Sequence, residues 1–454
     1  MILQVQTIAR NTFVESVRQP IYLILSLLCG VLIVLSTWAT AFSMGHSDQS
    51  SEVTGDNKLL FDVGLATVFV CGMILTAFLA TATISREIEN KTILTVVSKP
   101  VGRTTLVLGK FAGIAAAITC AVLTMLLFLL LAIRHEVMST AADELDGPVI
   151  LFSLAALLLS VGLAAWCNFY YGWSFPQVAS LLLLPLSAAG YVLVLAFDKE
   201  WNLQPLSSDF KPQIMLACLG LLMAMYVLTA VATAASTRLG QVMTIMVCAG
   251  VFVFGLLSNH LLGRQAFLNT PIAVVAAAEP VQPSHEPFNE PGQSYTVTFD
   301  AVPNENLVVG RSIFYGSTPN GWDMVTPAFE AFEGDASNPS DLYGSSRGPG
   351  LIVTGVGDDR RTYTLTLIGP DSLKLHRPPR AEDHIFLEPR RVNVAALGVW
   401  SIVPNMHYFW MLDAITRNVP IPPRHIGLLA MYSGLQVGAF LCLAVVLLER
   451  RDLG

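Results

Sequence analysis

The sequence predicts a mainly α fold, a polytopic transmembrane helical bundle of about eight spans with an inserted extracytoplasmic β-rich domain. Three observations predict it. Hydrophobic residues make up 53% of the 454 positions and charged residues only 13%, where soluble domains carry about a quarter charged. The apolar residues fall into runs of about 22 to 27 positions without a charge, and a helix needs roughly 20 to cross a bilayer. Between the last two runs lie about 160 residues of different composition, with polar and apolar residues alternating at strand period.

Taken in order, residues 1–20 read as an interfacial amphipathic helix. Ile2, Val5, Ala9, Phe13 and Val17 recur at helical spacing, with Gln6, Arg10, Asn11, Glu15 and Arg18 elsewhere. Pro20 then turns the chain into the bilayer. Residues 21–262 hold seven spans: Ile21 to Ser43, Val63 to Ile84, Phe111 to Ile133, two within the uncharged stretch from Asp146 to Asp198, Gln213 to Ser236, and Val242 to Leu262. The two spans in the uncharged stretch break at 170–176, where Gly172, Pro176 and four aromatic rings cluster.

Residues 263–402 read as an extracytoplasmic linker and β-rich domain. Four prolines make Ala276 to Gly292 an extended linker. Strands are predicted at Tyr295–Phe299, Leu307–Phe314, Leu351–Val356 and Thr362–Leu367. Residues 403–454 supply a short helix from Val403 to Ile415 anchored at the interface by Tyr408, Phe409 and Trp410, a last span from Ile426 to Leu448, and a charged tail.

Eight spans put both termini on one side. The short segments of that side carry ten Lys and Arg (Arg10, Arg18, Arg86, Lys91, Lys99, Arg103, Lys110, Arg238, Arg450 and Arg451), against four opposite (Lys58, Arg134, Lys199 and Lys211). By the positive-inside rule the termini and the loop 85–110 are cytoplasmic, in a multi-pass protein of the cell (plasma or inner) membrane.

Several chemistries are excluded or weakened. All seven cysteines lie in apolar runs, which argues against a disulfide framework or a CxxC metal site. Gly102-Arg103-Thr104-Thr105, ending in Gly109-Lys110, superficially suggests a phosphate-binding loop. Six residues separate the glycines where four are required, and Phe111 stands where Ser or Thr would hold magnesium, so any ATP is bound by another chain. His135-Glu136 lacks the second histidine of a zinc protease, and His376, Glu382, Asp383 and His384 read as scattered surface residues, so no cofactor or metal is expected. The spans carry almost no ionisable residues, which argues against a proton-coupled carrier.

The loop 85–110 holds the densest basic cluster between two spans. Ile84, Ile88, Ile93, Val96 and Val97 can form the apolar side of one or two helical turns, with Glu87, Glu89, Asn90 and Lys91 opposite, ended by Pro100 and Gly102. A docking element and a lipid-anchored loop both suit this pattern.

The loop also resembles a known family. Arg86-Glu87-Ile88-Glu89-Asn90-Lys91-Thr92, then Ser98-Lys99-Pro100-Val101-Gly102-Arg103 and Gly109-Lys110-Phe111, is similar to the cytoplasmic loop of ATP-binding-cassette (ABC) transporter permeases of the type-2 exporter class. Permeases of nitrous-oxide-reductase maturation and gliding-motility systems look most alike. The resemblance takes in the N-terminal helix, Ser236 to Gln241, Val403-Pro404-Asn405 with Phe409-Trp410 and Asp413, and Arg450-Arg451-Asp452. It leaves out the β-rich domain. It implies a non-enzymatic permease subunit that pairs as a homo- or heterodimer and couples ATP hydrolysis by separate cytoplasmic ATPase subunits to export. Glu87, Glu89, Lys91 and Thr92 would lie in the docking helix, Ser98, Lys99, Pro100, Arg103, Gly109 and Lys110 in its exit. Lys91 stands where glycine is common, and eight spans exceed the usual six. The alternative is a membrane-anchored scaffold or receptor acting through the β-rich domain.

Overall fold

A computed structural model describes residues 2–39, 55–85, 87, 102–137, 145–286, 288–344, 348–373, 375, 377–411, 415 and 421–450. The chain divides into two compact units, Met1–Leu256 with Pro404–Gly454, and Leu257–Val403.

The first unit is helical because apolar runs in lipid must satisfy every backbone group within the segment. Helix α1 is Ile2–Arg18, α2 Pro20–Ala39, α3 Gly55–Ala80, α4 Arg103–His135, α5 Gly147–Tyr171, α6 Phe175–Ala196, α7 Pro212–Ser236 and α8 Gln241–Ser258. Among the described residues, eight helices are long and apolar enough to cross a membrane, the last being Pro423–Glu449. Caps match the punctuation in the sequence. Asp146 accepts from the Val149 amide to start α5, and Gly172, in the left-handed region at φ 68°, ends it.

The third span, α4, is the post of this unit, packing against α1, α2, α3, α5, α6 and α7 and against the last span. Its contact with α1 is the closest. A Cβ on Gly109 would stand 2.7 Å from the Ile8 side chain, and one on Gly113 would stand 2.5 Å from the Ala9 carbonyl oxygen. Two glycines four residues apart strip one stripe of α4 to bare backbone, and Ile8, the Ala9 carbonyl and Thr12 of α1 fill it. Hence the fully buried residues of α1 are Thr12, Ser16 and Val17, while Ile2 is exposed. Of the expected apolar face, Val17 is buried, Val5, Ala9 and Phe13 are half-buried, and Ile2 at the helix start is exposed.

The ends of the spans gather charge. At one end Arg134 of α4 is 2.8 Å from Asp146, 3.0 Å from Asp209 and 4.0 Å from Asp198. Asp146 is fully buried, and the Nε contact to Asp209 is an ion pair without hydrogen-bond alignment. At the other end Arg103 donates to the Glu449 carbonyl at 2.7 Å and Arg238 to the Leu447 carbonyl at 3.1 Å. Both guanidinium groups thus satisfy carbonyls at the negative end of the last span's dipole.

Over the described residues 403–411, the expected helix from Val403 to Ile415 is not continuous. A nine-residue helix, Val394–Ile402, precedes it, and Met406–Phe409 is a 3-10 turn capped by Asn405. The three rings expected as interface anchors have ring partners within the unit. Tyr408 and Phe409 pack on Tyr432, and Trp410 meets Phe69 edge-on.

The second unit is a six-stranded antiparallel sheet: β1 Ala273–Pro280, β2 Ser294–Phe299, β3 Phe314–Gly316, β4 Gly350–Val356, β5 Thr362–Ile368 and β6 His384–Phe386, in the order β3-β6-β1-β2-β5-β4. The sheet closes on itself. Just before β3, Gly310 donates to Val353, Val353 to Arg311, and Ile313 to Leu351, so one strand-like stretch pairs with β4 and then with β6. The predicted strand at Leu307–Phe314 is therefore this closing segment, shifted towards Gly316. Tyr295, Val297, Phe299, Ile313, Tyr315, Val353 and Leu365 fill the interior.

The expected linker Ala276–Gly292 is corrected. Its first part belongs to β1, which lies in the middle of the sheet between β6 and β2. Pro280 is tolerated because it is the strand's last residue. The unit's entry and exit are zipped together: Phe267 bridges Val392, Leu268 donates to Arg391, and the Asn269 side chain bonds Glu388, Pro389 and Arg391 backbone groups.

The glycine stripe generates a test. Gly113→Val forces backbone apart where Gly434→Ala, in open space on the last span, does not. The valine variant is expected to lose about 1–3 kcal/mol in detergent thermal melts, with the alanine control unchanged or slightly stabilised.

Candidate functional site

The site is built where α3 ends and α4 begins. Beyond Ala80, α3 widens into a π-turn at Thr81–Ser85, with Thr81 and Thr83 hydroxyls donating to the Ala77 and Leu79 carbonyls, each at 2.8 Å. Such back-bonding bends a helix, and π-turns recur at functional positions. Glu87 lies two residues beyond it. The chain returns at Arg103, the first residue of α4.

Lys110 is the centre of the site. Its side chain is 9% exposed, with Nζ 2.6 Å from Glu87 and 4.0 Å from Glu15 of α1. One buried ammonium thus joins the end of α3, the start of α4 and the N-terminal helix. The Gly109–Gly113 stripe brings α1 close enough for Glu15 to reach it. A buried cation without a carboxylate would be strongly unfavourable, so the arrangement is tightly specified.

Four of the residues read from the sequence, Glu87, Arg103, Gly109 and Lys110, are placed here. Glu87 and Lys110 are brought together. Gly109 faces α1, and Arg103 serves the last span rather than the Lys110 cluster. Glu89, Lys91, Thr92, Ser98, Lys99 and Pro100 lie outside the described residues, as does the amphipathic turn expected there. Glu15 and Gly113 were not singled out as site residues. The Gly-x-x-x-Gly spacing was a readable signal for Gly113, whereas nothing local marks Glu15.

The other candidates do not assemble. Among the described residues no group of three or more His, Cys, Asp or Glu is placed to hold a metal. Asp383 is engaged by Arg377 at 2.6 Å and by the Arg380 amide, Glu136 pairs with Lys199 at 2.9 Å, and His376 lies outside the described residues. Beside Arg134 a cavity of about 50 Å³, lined by Glu136, Tyr191, Asp209 and Lys211 among others, has room for a few waters rather than a metabolite.

Burial pushes the Glu15 carboxyl above its ordinary range; Lys110 opposes this and Glu87 adds to it. Glu15 therefore takes up a proton at higher pH in the folded chain than in the unfolded one. Stability falls as pH rises from the ordinary value of 4.5 through the raised folded value. Glu15→Gln is expected to melt higher than the parent at neutral pH, with the difference shrinking as pH is lowered towards that ordinary value. A difference that is constant with pH would remove the burial account.

A family model described as ABC-2 family transporter protein matches residues 6–167. No curated protein and no solved structure matches the chain. The matched segment takes in α1, the first three spans, most of the fourth, and every residue of the Lys110 cluster. Over residues 6–167 the chain is thus similar to ABC-2 family transporter proteins.

Proposed function

We propose that this chain is the permease subunit of an ATP-driven ABC exporter, with the Lys110 end cytoplasmic. In this reading separate ATPase subunits dock on the loop 85–110, a second permease copy completes the pathway, and ATP binding and hydrolysis in the partners tilt the spans to release substrate outward. The chain itself binds no ATP and performs no catalysis. The observation that carries the reading is the family match over residues 6–167, which includes the loop and its supports.

The local chemistry is in keeping with force transfer. The loop is framed by a π-turn on one side and by the post helix on the other, with Lys110 and Glu87 tying the two together. A push on the loop would therefore reach α4 with little slack. Arg103 would carry it on to the end of the last span through the Glu449 carbonyl. Alternating states of this kind require ligand contacts that differ between them, which docking and release of an ATPase would supply.

Glu89→Lys tests the docking role without touching the Glu87–Lys110 pair. It is expected to reduce co-purifying ATPase about tenfold, the equivalent of about 1.4 kcal/mol, while the melting temperature of the permease stays as in the parent. Full retention of the ATPase and of its turnover would overturn the assignment of the loop.

The scaffold reading has one observation in its favour: the β-rich unit has its own core and zipped ends, as an independent module would. The two readings separate on its removal. Because β1 begins at Ala273, deletion should run between the bridged residues Phe267 and Val392, rejoined by a short Gly-Ser linker. An exporter keeps ATPase binding after this excision; a scaffold loses its activity with the unit.

A further inference from the structure

The helix Val394–Ile402, here α9, is unusual among the elements of the second unit. Its sequence, VAALGVWSI, contains no charge, and Asn393 caps its N-terminus by accepting from the Ala395 and Ala396 amides. One face is anchored: Trp400 meets Phe267 and Trp322 edge-on, with Ala396, Leu397 and Leu262 packed around them. The opposite face is open. Val394 is 79% exposed, Ile402 73% and Val399 54%, and Ala395 and Gly398 between them are also exposed. These five positions recur at helical spacing and form one apolar stripe.

What covers that stripe follows from where α9 sits within its own unit. It packs on the turns Asn259–Gly263 and Arg264–Ala266, which end the membrane-crossing-length helix Gln241–Ala266. Leu257, Leu261 and Leu268 at that end are exposed large apolar residues as well. Exposed Arg390 and Arg391 shortly precede α9 in sequence, and exposed Arg264 opens one of the turns it packs on, the flanking pattern of a helix resting among headgroups. Trp400, with its ring in the apolar cluster, suits the same depth.

We propose that α9 lies in the plane of the membrane, with Val394, Val399 and Ile402 immersed in the lipid beside the end of the seventh span. The partner of this surface is the bilayer itself. The helix would then fix the β-rich unit to the leaflet from which that span emerges. The proposal rests on the multi-pass reading alone and not on ATPase coupling.

The test uses the full chain in phosphatidylcholine–phosphatidylglycerol liposomes. Nitroxide labels are placed at Val399→Cys and Ile402→Cys in a background with Cys120, Cys167 and Cys442 changed to Ala. A label at Val356→Cys, on the exposed end of β4, is the aqueous control. Lipid immersion is expected to give high accessibility to oxygen and accessibility to a nickel chelate about tenfold below the control. Chelate accessibility equal to the control would overturn the proposal by placing α9 in water. Low accessibility to both reagents would overturn it by placing a protein there. Benzoylphenylalanine at Ile402, with all native cysteines retained, gives a second readout independent of the cysteine changes. A phospholipid adduct supports the proposal, and a protein adduct or none overturns it.

Discussion

The helical unit depends on one constraint: the post helix α4 carries a nearly buried cation near each end, and each must be neutralised by acids from other elements. Lys110 and Arg134 stand 24 positions apart, about 36 Å at the helical rise. The hydrocarbon core is about 30 Å thick, so both charges fall just outside it while the helix between them is free of charge. Each cation then recruits its neighbours. Arg134 draws Asp146, Asp198 and Asp209 from the ends of three other helices, and Lys110 draws Glu87 and Glu15. Because unpaired charge at these depths is so unfavourable, the pairs fix which helix ends meet, even where the helix faces are interchangeable leucine and valine.

The two ends differ in kind. Around Arg134 the acids come from short connections between helices, and fully buried Asp146 also caps α5. That end is a clasp with its groups committed to one another. Around Lys110 the partners come from beyond a π-turned helix end and from α1. An end joined through one ammonium and a bent turn is better placed to respond to a ligand than a clasp of three carboxylates on one guanidinium. The chemical asymmetry therefore agrees with assigning the working end to the loop.

Much of this was legible in the sequence, for identifiable reasons. Lipid forces a spanning segment to be long, apolar and helical, so the spans announce themselves in composition alone. The strands at Tyr295–Phe299 and Thr362–Leu367 were legible because one face is core and alternation records it. β1 was hidden: Ala273–Ala278 is small and apolar throughout, and a bulge between Val275 and Ala277 breaks its period. The prolines that follow drew the reading towards a linker. The rings at 408–410 have the same composition whether they sit at an interface or pack on Tyr432 and Phe69. The convergence on Arg134 leaves no trace in spacing, since its partners are set by tertiary packing alone.

The closed sheet bears on how a domain of this size tolerates insertion between two spans. Pairing of 310–313 with β4 and of β3 with β6 consumes the edges that would otherwise recruit foreign strands. The bridge between Phe267 and Val392 brings entry and exit together, so the insert imposes on its host only the spacing of two adjacent strands. Such a module can be added to a helical bundle without altering the contacts of α4. The packing of the helical bundle around α4 and the closed sheet of the β-rich unit are therefore separable problems, each with its own core.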